Sequence, residues 1–240
     1  MAVDEREITP AQRSSGLAKA LSVIISPKAA FEQLAAMPAW GWAAIIGIAL
    51  TLGAVLLSLH AQSHLVSVMQ DQRIAQMPSE QQAAARTQLA KFASLSSIFI
   101  IIGALVGPWL AWLIAAVVFI IAAALGGGTA TFGRAWVAAV NCYIVYGIAG
   151  LVNAIILSLR DPSTVNSMAD VMSLPSLAMI VHPGIKLTAF LFNYNVLYIW
   201  YYVVVAIALY IMLKLSRTAA IVTAVLYSLI WALYLYATAK

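Results

Sequence analysis

Five long stretches of this 240-residue chain carry no charged side chain, and they limit its fold more than any other feature. The stretches cover residues 33–70, 92–133, 135–159, 187–213 and 218–239, which gives lengths of 38, 42, 25, 27 and 22 residues. A charge at the centre of a bilayer costs at least about 2.5–3.5 kcal/mol. About 20 apolar residues in a helix span the hydrocarbon core. Each stretch therefore predicts one membrane-spanning helix.

The composition excludes a soluble globular domain. Apolar residues make up 64% of the chain and charged residues 9%, against about 45–50% and 25% in soluble domains. The net charge of +5 comes from only 13 Lys and Arg and 8 Asp and Glu. Dispersed basic residues in a membrane chain usually anchor cytoplasmic loops, so this charge does not indicate a nucleic-acid partner. Cys142 is the single cysteine, which rules out an intrachain disulfide.

The predicted fold is an all-α polytopic membrane bundle with five transmembrane helices. The predicted crossings cover residues 40–59, 96–125, 135–159, 193–213 and 218–237. An odd number of crossings places the two termini on opposite sides. The loops at 126–134 and 214–217 are short and purely basic, which favours a cytoplasmic N-terminus and an external C-terminus. In a prokaryote this would be a protein of the inner membrane.

The N-terminal region predicts a tail and two short helices. Residues 1–16 are polar and small and predict a disordered tail, and residues 17–240 predict a single membrane domain. Apolar residues at helical spacing before and after Ser26-Pro27 predict two amphipathic helices that lie in the headgroup layer. Lys19 and Lys28 flank their apolar faces.

Basic residues near the predicted membrane surface are the candidates for binding. They are Lys19, Lys28, Arg134, Lys214 and Arg217. On one cytoplasmic face they would hold a protein partner or anionic lipid headgroups.

Polar residues inside the crossings are a second set of candidates. They are Asn141, Asn153, Asn193, Asn195 and Tyr198. Such groups commonly hydrogen-bond between helices, and the alternative is contact with a transported solute. No Asp, Glu, Lys or Arg lies in a predicted crossing, which argues against a proton relay. Gly103 and Gly107 form a small-xxx-small pair that predicts close helix packing or a homo-oligomer.

One constellation resembles a metal site. His60, His64 and Asp71 fall within about 40° of one another on a continuous helix, and this donor set suits a divalent metal or a pH sensor. His182 lies in the other loop predicted on the same side. The sequence contains no phosphate-binding loop and no hydrolase triad, so we expect no cofactor and no catalysis.

Three segments resemble the Yip1 family of five-span membrane proteins. They are residues 26–31 (Ser-Pro-Lys-Ala-Ala-Phe), 126–132 (Gly-Gly-Gly-Thr-Ala-Thr-Phe), and 195–200 (Asn-Val-Leu-Tyr-Ile-Trp) followed by 215–219 (Leu-Ser-Arg-Thr-Ala). The short tail is similar to that of the prokaryotic branch. The resemblance implies a non-enzymatic protein that binds protein partners or lipids in membrane organisation or trafficking. A small-solute or lipid permease and a metal- or pH-responsive sensor remain the alternatives.

Overall fold

Long apolar helices make up the membrane part of the protein. The structure, a computed structural model, describes residues 15–181 and 184–239, with the side chains of residues 90–97 excepted. Within these residues, four helical segments are long and apolar enough to cross a membrane: Gly41–Ala75, Ile98–Leu125, Phe132–Ser158 and Arg217–Thr238. The described residues thus form a helical membrane bundle, which confirms the predicted fold class.

The helices follow one another with short connections, except for the long loop of residues 159–177 after α5. In chain order they are α1 (Gly16–Ile25), α2 (Pro27–Ala36), α3 (Gly41–Ala75), α4 (Ser79–Leu125), α5 (Phe132–Ser158), the single turn α6 (Ala178–Val181), α7 (Ile185–Phe192), α8 (Val196–Met212) and α9 (Arg217–Thr238). A 3₁₀ turn, Pro162–Thr164, lies in the loop after α5.

Helices α3 and α4 form a hairpin that is much longer than a bilayer is thick. Their 35 and 47 residues correspond to about 52 and 70 Å, against a hydrocarbon core of about 30 Å. The predicted crossings 40–59 and 96–125 lie at the ends of α3 and α4 that are remote from their connecting turn. The turn and the helical segments beside it therefore extend well outside the membrane. Pro108 lies inside α4 without ending it.

Helices α1 and α2 pack into the bundle through their apolar faces. Val23, Phe31 and Leu34 are fully buried in the same core as residues of α5 and α8. The Trp200 indole Nε1 of α8 donates to the Ile24 carbonyl oxygen at 3.1 Å, which ties the end of α1 to α8. The break between the two helices lies at Ser26, as predicted.

Ser15 and Gly16, which the prediction assigns to the N-terminal tail, belong to the start of α1. Gly16 is the first residue of α1, and the Ser15 side chain caps it by accepting a hydrogen bond from the Ala18 amide at 3.2 Å. A serine at this position satisfies one of the unpaired amides of the first helical turn. The tail prediction for residues 1–14 lies outside the described residues, as does His182.

The fourth predicted crossing, 193–213, corresponds to α8, which begins three residues later and ends one residue earlier. With 17 residues, α8 is about 26 Å long, slightly less than the hydrocarbon core. Asn195 caps it, since its Oδ1 accepts from the amides of Leu197 and Tyr198 at 3.0 Å each. Residues 193–195 are therefore a junction between α7 and α8 and not the start of a continuous crossing. Both helices pack against α9.

Helix α5 is the centre of the bundle. Half of its most apolar segment is buried, against 22% for α3 and α9, and it packs against α1, α3, α4 and α8. Small residues let its neighbours approach. A Cβ at Gly147 would lie 3.1 Å from the Leu50 side chain of α3. Small residues at helix contacts are the usual means of close packing inside a membrane.

Candidate functional site

Two short turns meet at one end of the bundle. Together with the first residues of the helices that follow them, they form what we call the short-loop end (residues 126–134 and 213–217). The Thr129 amide donates to the Leu213 carbonyl oxygen at 2.9 Å, which joins the turns directly. A Cβ at Gly128 would lie 2.6 Å from the same oxygen, so only glycine permits this approach. Gly127 has a φ of 70° and makes the reversal after α4. The glycine run thus serves to bring the turns together.

The short-loop end carries three of the five predicted binding cations. Lys214 is exposed between the buried Leu213 and Leu215 and has a φ of 59°. Arg217 is exposed at the first position of α9. Arg134 is half-buried in the first turn of α5. The joined turns hold these side chains at one end of the bundle.

Lys19 does not belong to this surface, which corrects the prediction. Its side chain is only 4% exposed, and its Nζ donates to the Met37 carbonyl oxygen at 3.2 Å. Met37 follows the last residue of α2, where unpaired carbonyls favour a cation. Lys19 therefore stabilises the end of α2.

Lys28 is exposed on α2 and lines a groove between α8 and α9 that also contains Arg217. The structure thus brings one predicted cation of α2 and one of α9 into a common groove.

The predicted asparagines do not form one polar cluster. The Asn141 Nδ2 donates to the Ala39 and Val137 carbonyl oxygens at 3.0 and 2.9 Å, which ties the entry to α3 against α5. Asn153 anchors the loop after α5: its Nδ2 donates to the Val171 carbonyl oxygen at 3.0 Å, and its Oδ1 accepts from the Ser173 amide at 2.8 Å.

The two asparagines of the α7–α8 junction also serve packing. The Asn193 Nδ2 donates to the Ser228 carbonyl oxygen of α9 at 3.0 Å, and its Oδ1 accepts from the Tyr202 hydroxyl at 2.8 Å. Asn195 caps α8 and donates to the Phe192 carbonyl oxygen at 2.8 Å. Their side chains are therefore held in place by hydrogen bonds that fix the bundle.

Tyr198 belongs to a larger group of tyrosines that sequence reasoning missed in part. Its ring stacks on that of Tyr146 of α5 with centroids 5.3 Å apart. Tyr146 also contacts Tyr143 and Tyr201, at 5.3 and 5.6 Å. The Tyr201 hydroxyl donates to that of Tyr227 of α9 at 3.5 Å. The sequence indicated Tyr198 of α8, but it gave no sign that tyrosines of α5 and α9 would lie near it.

Two cavities reach this tyrosine cluster. A cavity of 170 Å³ between α3 and α5 has polar lining groups, including Thr51 and Gln62 as well as Asn153. A cleft of 460 Å³ between α4 and α9 is mostly apolar. Tyr143 and Tyr146 line both of them, so the tyrosines separate a polar space from an apolar one.

The predicted metal site is not formed. His60, His64 and Asp71 do lie on one continuous helix, α3, but about 16 Å of helix rise separates the first from the last. Among residues 15–181 and 184–239, no group of three or more His, Cys, Asp or Glu side chains can hold a metal ion. The three side chains do share one face of α3, but they are too far apart along the helix to bind one metal ion.

His64 nevertheless lies close to the loop after α5. Its Nε2 is buried and has no hydrogen-bond partner in the part of the chain that the structure describes. Hydrogen bonding from the Ser163 amide lowers the pKa of the exposed Asp161 carboxyl below its ordinary value, and the nearby His64 lowers it further. pH sensing through His64 stays a prediction.

The comparisons with known proteins agree with the helical architecture. The Yip1 domain model matches residues 21–239. The chain belongs to the Yip1 family. It is also similar to "Membrane protein YknW" of Bacillus subtilis (strain 168), with 26% identity over 223 residues that cover 91% of this chain and 90% of that protein. No solved structure matches the chain significantly.

The family match confirms the resemblance to the Yip1 family that the three sequence segments indicated. It includes the glycine run of the short-loop end and the segment from Asn195 to the basic turn before α9. It also agrees with the four spanning segments among the described residues, so the protein is an integral, multi-pass membrane protein of Yip1 type.

Proposed function

We propose that this Yip1 protein is not an enzyme and acts by binding, with the short-loop end as the surface that captures a partner protein in membrane organisation. The observation that carries the proposal is the hydrogen bond from the Thr129 amide to the Leu213 carbonyl oxygen. It joins two turns that are distant in sequence and so places Arg134, Lys214 and Arg217 at one end of a rigid bundle. A preformed cationic surface loses little conformational entropy on binding.

The orientation of the bundle is part of the proposal. The short-loop end contains the basic residues Arg134, Lys214 and Arg217 and no acidic residue, which supports a cytoplasmic location by the positive-inside rule. With α8 as a fifth crossing, the N-terminus is cytoplasmic and the C-terminus is external. The bacterial relative supports the cytoplasmic membrane of a prokaryote as the location.

Site-specific cross-linking in native membranes tests this function. A photo-reactive residue at Gly133 suits the purpose, because a Cβ there meets no atom within 4 Å. We expect a reproducible protein adduct that is lost when Lys214→Glu and Arg217→Glu are combined. Exposed ion pairs contribute about 0.2–1 kcal/mol each, so the loss of two of them corresponds to up to about thirtyfold weaker capture.

The matched control reverses two exposed arginines of the long hairpin, Arg73→Glu with Arg86→Glu. This control changes the net charge equally at the other end of the protein, and we expect it to leave the adduct unchanged. Equal capture by both double variants would contradict the proposal, and so would adducts of lipid alone.

A small-solute permease is the second candidate, and the tyrosine cluster favours it. Tyr143 and Tyr146 lie between the polar cavity and the apolar cleft, as expected of a constriction in a transport path. Glycerol and urea flux into liposomes that contain the purified protein tests this function. Flux that is lower in Tyr146→Trp, which fills the constriction, would support transport. Flux equal to that of protein-free liposomes would exclude it for these solutes.

A further inference from the structure

A groove of 760 Å³ runs along the outside of the bundle between α8 and α9, with α2 beside it. We call it the α8–α9 groove. It is separate from the cleft of the tyrosine cluster, and among the described residues only Tyr202 lines both. Neither of the two candidate functions, partner capture and solute transport, involves the whole groove.

The walls of the groove are suited to a hydrocarbon chain. The α8 side runs from Ile199 to Ile211, about 18 Å of helix rise, which is close to the thickness of one leaflet, about 15 Å. On the α9 side, Ile221 and Val225 are 51% and 57% exposed. Such side chains face the acyl chains of the bilayer when the protein is in a membrane.

The groove is not apolar throughout, because three charged side chains line it. Lys28 and Glu32 come from α2, and Arg217 comes from the first turn of α9. Their formal charges sum to +1. Charged groups near an apolar membrane surface are costly unless they find a partner of opposite charge or reach the interface. Two cations from separate helices that converge on one apolar groove fit a ligand that is anionic at one end and hydrocarbon elsewhere.

We propose that the α8–α9 groove binds one anionic glycerophospholipid, with its phosphate at Lys28 and Arg217 and an acyl chain between α8 and α9. The net charge of a phosphatidylglycerol headgroup, −1, complements the +1 of the site. Glu32 disfavours a second phosphate and limits the site to a single lipid. This site goes beyond the proposed function and shares only Arg217 with the short-loop end.

Native mass spectrometry of the purified full-length chain tests the lipid site. The protein is delipidated in detergent and titrated with phosphatidylglycerol, and with phosphatidylcholine of the same chains. We expect one phosphatidylglycerol to bind, with at least about tenfold preference over phosphatidylcholine, and Lys28→Gln with Arg217→Gln to lose that preference. Equal binding of the two lipids by the wild-type protein would overturn the proposal.

Three further variants keep the result interpretable. Lys214→Gln removes an exposed cation outside the groove and should bind phosphatidylglycerol like the wild-type protein, even where it weakens capture of a partner. Lys28→Arg with Arg217→Lys keeps both charges and should keep the preference, which would attribute the loss in the Gln pair to the missing charges and not to misfolding. Ala206→Leu fills the groove and should weaken both lipids. Loss in Lys214→Gln as large as in the Gln pair would contradict the site, because the effect would then be general surface charge.

Discussion

Substitution of Gly128 by alanine tests the joint of the short-loop end. An added Cβ would lie 2.6 Å from the Leu213 carbonyl oxygen, which is a backbone atom and cannot rotate away. The turns must separate, and the hydrogen bond from the Thr129 amide is lost. A buried acceptor that loses its hydrogen-bond partner costs about 1–3 kcal/mol. We therefore expect Gly128→Ala to lower the free energy of unfolding by about 1–3 kcal/mol.

The assay is reversible unfolding by SDS in mixed micelles, followed by tryptophan fluorescence. Gly133→Ala is the matched control, because a Cβ at Gly133 meets nothing within 4 Å and alanine is the better helix former. This control should change the stability by no more than about 1 kcal/mol, in the stabilising direction. The same joint positions Lys214 and Arg217, so Gly128→Ala should also weaken cross-linking to the partner. If Gly128→Ala is as stable as Gly133→Ala, the two turns do not meet as described and the proposed surface loses its basis.

Two further substitutions separate structural polar groups from binding groups. Lys19→Met removes the ammonium group that donates to the Met37 carbonyl oxygen. We expect this change to lower the free energy of unfolding by about 1–3 kcal/mol and to leave partner capture unaffected. Unchanged stability would show that the buried ammonium does not stabilise α2. Asn193→Leu leaves the Tyr202 hydroxyl without its acceptor and should cost about 2 kcal/mol, whereas Tyr202→Phe should cost about 1 kcal/mol. The same SDS unfolding assay measures both, and a larger loss in Tyr202→Phe than in Asn193→Leu would contradict the assignment of Asn193 as the link between α8 and α9.

The ends of the crossings could be predicted where a charge marks them. The prediction of 218–237 falls within α9, Arg217–Thr238, and 135–159 differs from α5 by three residues at its start and one at its end. At these ends Arg217 and Arg134 lie in the first turn of their helices. A charge that must stay out of the hydrocarbon core is a local property, so the sequence alone locates it.

The start of the fourth crossing could not be predicted in this way, because no charge lies near it. The uncharged stretch from 187 to 213 allows any starting residue. The junction is set by Asn195, which caps α8, and by Asn193, whose partners are on α8 and α9. An asparagine before an apolar run is a known N-cap signal, and it could have located the start of α8. The partners of Asn193, 9 and 35 residues away, carry no such local signal.

Lys19 illustrates a second limit of prediction from sequence. Its position between apolar residues of a short helix is typical of a lysine at a membrane surface. Its actual environment depends on the Met37 carbonyl oxygen, which α2 brings back beside α1. Periodicity assigns a residue to a face of its own helix, but it does not say what covers that face. For the same reason the sequence could not reveal that Lys28 and Arg217 share one groove.

The polar side chains that carry the proposals fall into two classes with different expected effects on substitution. Asn153, Asn193 and Asn195 donate and accept hydrogen bonds within the protein, so each of them is committed to holding helices or loops in place. Lys28, Lys214 and Arg217 are exposed, and charged groups beside an apolar surface gain most from a partner of opposite charge. Substitutions in the first class should therefore lower stability, and substitutions in the second should change binding at constant stability. A membrane protein that worked through its interior would show the reverse, because its interior polar groups would be available to a solute and its surface cations would serve only as anchors.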